Sequence, residues 1–150
     1  MFSMKTKYAV CACLNLARRT DRPSMIISEI SQAGNLPQKF LESILQDLRR
    51  GGLLHSRKGR NGGYSLARPP YDISLGEIIR LTGSLRLDAE ASRQTPDHTS
   101  DSAGVDECNI SELLEQVRQS LLRVLEETSL QDILDRWEST HRPSSVDWII

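Results

Sequence analysis

The chain lacks any apolar run of membrane-spanning length, and its N-terminus lacks the apolar stretch of a secretory leader. Cysteine is scarce: Cys11, Cys13 and Cys108 make an odd number, without the spacing of a disulfide framework. These absences predict a cytoplasmic protein in a reducing setting, with no membrane partner. Catalytic signatures are missing too. His55, His98 and His141 are scattered, and no nucleophile–base pairing, phosphate loop or paired-carboxylate motif occurs. The expectation is a non-enzyme without a metal site. Asp97, His98 and Cys108 have the donor types for zinc, but a polar loop with a stray histidine is the commoner arrangement.

A strongly basic balance is also lacking, since the net charge is −1. The distribution matters more than the sum. Residues 1–70 hold 12 Lys and Arg against 4 Asp and Glu, while residues 71–150 hold 7 against 16. A basic head on an acidic body suits a protein that meets phosphate with one end only. The alternative, chance clustering on a solvated surface, is weakened because the basic residues sit on motif positions.

Those positions lie in residues 35–68. Asn35 is a candidate cap, Pro37 suits a first turn, and Phe40, Leu41, Ile44, Leu45 and Leu48 recur at helical spacing before Gly51-Gly52. Two short apolar runs, Leu53-Leu54 and Tyr64-Ser65-Leu66, flank Lys58-Gly59-Arg60-Asn61-Gly62-Gly63. The Asn-Gly step marks a hairpin tip with positive φ. Lys39, Arg49, Arg50, Arg57, Lys58, Arg60 and Arg68 are expected on the solvent side. A groove-sized helix beside a basic hairpin predicts a winged helix-turn-helix that binds double-stranded DNA. The recognition helix spans 37–50 and lies in the major groove; the wing spans 55–68 and lies on the minor groove and backbone.

Earlier in the chain, residues 5–19 predict a largely buried helix, with Cys11 and Cys13 on different faces. Lys5 and Lys7 at its start oppose the helix dipole and invite a phosphate, with simple surface solvation as the alternative. Met25-Ile26-Ile27 reads as a short strand, and Ser28 as the cap of a short helix that Gly34 ends. A helix, a tight turn and a second helix is the DNA-reading arrangement, in which the second helix offers its N-terminal residues to base edges. Here those are Gln38, Lys39, Glu42, Ser43 and Gln46, with Glu42 suited to accept from a cytosine amine.

Ser74 caps a further helix, 75–82, ended by Gly83. Residues 88–108 are polar and predict a flexible loop. In residues 109–128, Ile110, Val117 and Val124 fall seven apart, as do Leu114 and Leu121, with Leu113 and Leu125 alongside. This short heptad seam predicts a homodimer helix; packing on the chain's own head is the alternative. Thr128 or Ser129 caps a short helix, 130–134, and the tail ends in Trp148-Ile149-Ile150.

The pattern resembles the IscR/NsrR/CymR family of dimeric bacterial winged-helix regulators, the Rrf-two family. The resemblance covers roughly residues 3–87 and 109–135. It rests on Lys5-Thr6-Lys7-Tyr8-Ala9, Ile27-Ser28-Glu29-Ile30-Ser31 and Phe40-Leu41-Glu42-Ser43-Ile44-Leu45. It continues through Leu48 to Leu54, Ser56-Arg57-Lys58-Gly59, Gly62 to Pro70, Ile73 to Ile79 and Thr128 to Leu134. It implies a mainly α fold with a small β-wing: a winged head over 1–87, and a dimerisation helix, short closing helix and tail over 109–150. It further implies a homodimer on a pseudo-palindromic operator. Repression is the expected mode of action, with activation left open by the sequence. Carried over, Lys39, Glu42 and Ser43 fall on base-contacting positions, Lys58 on a minor-groove position, and Lys5, Lys7 and Tyr8 on a phosphate-contacting helix start. Pro37 departs from a hydroxyl residue in the family, which sets the operator apart.

Many members hold an iron–sulfur cluster through three cysteines in the loop before the long helix. This loop supplies Cys108 alone, so no cofactor is expected. A small-molecule or protein effector is expected instead, with Cys108 as a candidate redox thiol near a helix N-terminus or, equally, an inert half-buried cysteine. The competing functional reading is a protein-interaction module on a winged-helix scaffold, acting through the acidic C-terminal half and tail.

Overall fold

The structure, a computed structural model, describes residues 3–19, 24–83 and 107–141, with residues 107–111 as backbone only. The elements are α1 (Met4–Arg18), α2 (Ile27–Gly34), α3 (Gln38–Arg50), β1 (Leu54–Arg57), β2 (Gly63–Leu66), a 3-10 turn (Pro70–Asp72), α4 (Leu75–Thr82), α5 (Glu107–Glu127) and α6 (Leu130–His141). The mainly α architecture with a two-stranded antiparallel wing follows the sequence reading.

The head is built by one apolar face from each helix. Ala9, Ala12 and Cys13 of α1, Ile30 of α2, Leu41, Ile44, Leu45 and Leu48 of α3, and Ile78 of α4 share a core with Leu53, Leu54, Ile73 and Leu130. Small residues on α1 let the other helices approach closely. Where α1 crosses α4, the buried hydroxyls of Thr6 and Thr82 hydrogen-bond at 2.9 Å, and Thr82 also donates to the Ile78 carbonyl at 3.0 Å. Both of these buried hydroxyls thereby keep a partner.

Several boundaries differ from the sequence reading. Asn35 does not cap α3; it closes α2 in the left-handed conformation (φ 50°, ψ 48°). The Leu36 N–H then reaches the Ser31 carbonyl at 2.9 Å, so the turn is a helix C-terminal motif. Pro37 takes the N-cap position of α3, and Gly34 is the last residue of α2. The cap of α2 is Ile26, not Ser28, and Glu29 turns back to accept the Ile26 N–H at 3.1 Å. The strand expected over 25–27 shrinks to one bridge, in which Met25 and Tyr64 exchange backbone bonds of 2.9 and 2.8 Å. Positive φ in the wing falls at Gly59 and Gly63, not on the Asn61-Gly62 step. At Gly63 the requirement is double, because a Cβ there would meet the Met25 carbonyl across that bridge.

Arg68, expected on the solvent side, is drawn into structure: it pairs with Glu77 at 2.7 Å and lies 3.9 Å from Asp72, fixing the wing's exit to α4. Helix α4 starts as expected, with Ser74 Oγ accepting the Glu77 N–H at 3.2 Å and Glu77 accepting the Ser74 N–H at 3.0 Å.

Of the loop expected over 88–108, only Glu107 and Cys108 are described, and both are helical. The closing helix is longer than 130–134 and runs to His141. Ser129 is its cap, exchanging bonds with Asp132. Its extension is held by Trp137, which packs under the Arg18 guanidinium at 4.2 Å and stacks on His141 at 4.6 Å. The entry to α6 is stitched to the entry to α4: the Leu75 N–H donates to the Thr128 carbonyl (2.8 Å) and the Leu130 N–H to the Ile73 carbonyl (2.9 Å).

Helix α5 divides in two. Leu125 is buried and its backbone approaches Gly76 closely, so the C-terminal end packs on the head. Leu113, Leu114, Val117 and Val124 are 59 %, 63 %, 52 % and 59 % exposed, and Leu121 is half-buried. Leu125 therefore belongs to the head, not beside the seam. The side chain of Ile110 and residues 142–150 lie outside the described residues.

Candidate nucleic-acid interface

Helix α3 is strongly two-faced. Its buried face carries Leu41, Ile44, Leu45 and Leu48, which leaves Gln38, Lys39, Glu42 and Ser43 exposed on the first two turns and Gln46 half-buried. No described side chain bonds to Lys39 or Glu42, and their groups face solvent, free for an outside partner. Arg49 is exposed on the last turn and donates from Nη1 to Ser56 Oγ of β1 at 3.3 Å, linking α3 to the wing.

The wing follows at once. Arg57, Lys58 and Arg60 are all exposed. Register pairs Leu54 with Leu66 and Arg57 with Gly63, so the apolar end sits on the core while the basic end projects. Its tip is braced from the head, because Ser24 Oγ donates to the Asn61 carbonyl at 3.0 Å. A helix with a free polar face beside a projecting cationic hairpin can read bases and hold phosphate at once.

The start of α1 is brought only partly to this face. Lys5 and Tyr8 line a hollow together with Phe40 and Ser43, next to the recognition helix. Lys7, two residues from Lys5, turns to the opposite flank and lines a groove with Thr6, Val10, Cys11, Leu75 and Ile79. Lys5 is not an unpaired charge against the dipole. Its ammonium binds Asp47 of α3 at 2.7 Å, and the helix start is capped by Ser3 Oγ, which accepts the Thr6 N–H at 3.2 Å. Phe40, read in the sequence with the core, is instead 59 % exposed. The apolar periodicity of α3 carries no mark to separate it from its buried neighbours.

The described residues thus define a winged helix-turn-helix unit joined to a long helix. Comparison with known proteins agrees. Residues 2–136 match the family model Rrf2, described as iron-dependent transcriptional regulator. An rrf2-like HTH-type transcriptional regulator of Rhodobacter capsulatus is 36% identical over 138 residues, covering 89% of this chain and 92% of that protein. Among solved structures, IscR of T. potens is similar with a TM-score of 0.72 and 29% identity, covering 94% of this chain and 90% of that one. CymR, the global cysteine regulator of B. subtilis, is similar with a TM-score of 0.69 and 28% identity, covering 91% and 97%. The chain belongs to the Rrf2 family. It is a transcriptional regulator with a DNA-binding winged helix, and the family is not one of enzymes. Among the described residues, no helix is long and apolar enough to cross a membrane.

The iron dependence in the family description meets a poor donor set in this chain. Of its three cysteines, Cys13 is fully buried in α1, where burial pushes its thiol up to about 12. Cys11 is half-buried one turn-face away on the same helix, and Cys108 lies in the first turn of α5, its side chain outside the described residues. A protonated core thiol is not a metal ligand. The set does not fit a cluster held by three thiolates of one loop.

Proposed function

We propose that the chain is a sequence-specific repressor that binds a pseudo-palindromic operator as a homodimer in the cytoplasm. Helix α3 enters the major groove, where Gln38, Lys39, Glu42, Ser43 and Gln46 meet base edges. Arg49 and the wing residues Arg57, Lys58 and Arg60 hold the backbone and minor groove, and Tyr8 at the start of α1 adds a contact to phosphate, while Lys7 faces the α4 flank and takes no part. Lys5 acts chiefly by fixing α1 to α3 through Asp47. The homodimer forms through Leu114, Val117, Leu121 and Val124, with Ile110 on the same heptad line. No cluster is bound; the effector is a small molecule or a protein, or acts on the Cys108 thiol.

The observation that carries this reading is the joint exposure of the polar face of α3 and the cationic wing tip, on a head whose other charged groups are largely paired. Phosphate contacts release counterions, so affinity must fall with salt, with a log–log slope of about −0.9 per contact. Lys58→Ala and Arg60→Ala are each expected to weaken binding to all duplexes and flatten that slope by about one. Fluorescence anisotropy across a salt series measures both. Wild-type affinity and slope in both variants would sink the wing assignment.

A further inference from the structure

A hollow beside the recognition helix is apolar, which is unexpected on a face that meets a polyanion. It measures about 480 Å³ and is lined by Met4, Lys5 and Tyr8 of α1 and Phe40, Ser43 and Ile44 of α3. Phe40 and Met4 at its rim are 59 % and 55 % exposed. Among the described residues of its wall the one charged group is already neutralised, because Lys5 is bound by Asp47 at 2.7 Å. Around this rim the exposed neighbours on α3 are Lys39, Glu42 and Ser43, all polar.

Phe40 is the third residue of α3, within the N-terminal turn that reaches base edges in this class of motif. The major groove presents hydrogen-bond donors and acceptors at every base pair, and one apolar group: the C5-methyl of thymine. Resting on the DNA-reading role proposed above, we infer that the rim formed by Phe40 and Met4 receives a thymine methyl of the operator. Phe40 is then a specificity-determining residue. The exposed ring loses water against the methyl, and within the wall itself the Lys5 ammonium is turned to Asp47, so the described lining offers apolar contact rather than a free cation. Ser43, on the next turn of the same wall, is placed to bond the adjoining base edge.

The test uses the full chain and an operator selected by the wild-type protein from a pool of random duplexes. Each thymine is replaced in turn by deoxyuridine, which removes the methyl and nothing else. Affinities are measured for the wild type and for Phe40→Ala, a substitution at an exposed site whose melting temperature is checked in parallel. At one position in each half-site, the loss of the methyl is expected to weaken wild-type binding about fourfold. Phe40→Ala is expected to bind the thymine and deoxyuridine duplexes equally at that position. Wild-type indifference to every replacement overturns the inference, and so does an unchanged thymine preference in the variant. An equal loss by Phe40→Ala on operator and unrelated duplexes also overturns it, since that marks a sugar–phosphate contact. Failure of the wild type to select any sequence would instead refute the DNA-reading proposal, and this inference with it.

Discussion

The uncovered half of α5 is the sharpest place to test assembly, because its contribution can be worked from exposure. Leu114 is 63 % exposed and Val117 52 % exposed on a helix whose other end is already seated on the head. Trimming to alanine removes three carbons from Leu114 and two from Val117, at about 0.8 kcal/mol for each carbon fully buried. Only the exposed share is available to a second copy, so the losses are about 1.5 and 0.8 kcal/mol per chain. A symmetric interface counts each twice, and the double variant then raises the dimer dissociation constant by on the order of a thousandfold. Sedimentation over a concentration series reads this directly. The head is expected to keep its secondary structure, since neither residue belongs to its core. Operator affinity is expected to fall, because two half-sites are no longer held together. A change in dimer dissociation of less than about threefold would refute the assignment of this face.

Two further predictions follow from the charged groups and the cysteines. Burial disfavours the ionised form of Glu77, but the Ser74 N–H and the Arg68 guanidinium outweigh it and hold the carboxyl below its ordinary 4.5. The stability so gained is present above about pH 4.5 and lost as pH falls through the folded value, so Glu77→Gln is expected to lower the melting temperature at neutral pH and flatten its acid decline; an equally steep decline in the variant would contradict the Arg68–Glu77 linkage. Protein purified without oxygen is expected to be colourless and free of stoichiometric iron, and visible absorption bands with bound iron would overturn the cluster-free reading.

Much of the head was legible because its signals are local. Ser74 and Gly83 bracket α4 where the sequence places them, and the apolar spacing of α3 gives the correct buried face except for Phe40. The errors share a physical origin in pairing across the chain. Asn35 has the composition of an N-cap, yet it serves α2 because the preceding helix needs its last carbonyls satisfied. Arg68 has the composition of a DNA-facing residue, but Glu77, nine residues on, claims it. The length of α6 was missed because Trp137 is stabilised by Arg18 at the far end of α1, a partner that no local window contains. The heptad line on α5 was legible in period but not in extent: Leu125 sits beside the seam in sequence and on the head in space.

The same distinction changes how the charge asymmetry should be used. Twelve basic residues in the first 70 suggested a DNA-binding head, but their count overstates the charge available to phosphate. Lys5 is spent on Asp47, Arg68 on Glu77 and Asp72, and Arg18 on the face of Trp137. Among the described residues of these first 70, the exposed cations left over are Lys7 on α1 and, on α3 and the wing, Lys39, Arg49, Arg50, Arg57, Lys58 and Arg60. The paired residues hold helix to helix and wing to head, while all but one of the exposed ones lie on α3 and the wing that follows it. An electrostatic footprint is therefore better read from the exposed cations that no carboxylate or aromatic ring of the fold engages than from net charge, and among the described residues of the first 70 that subset, Lys7 apart, falls on the recognition helix and wing.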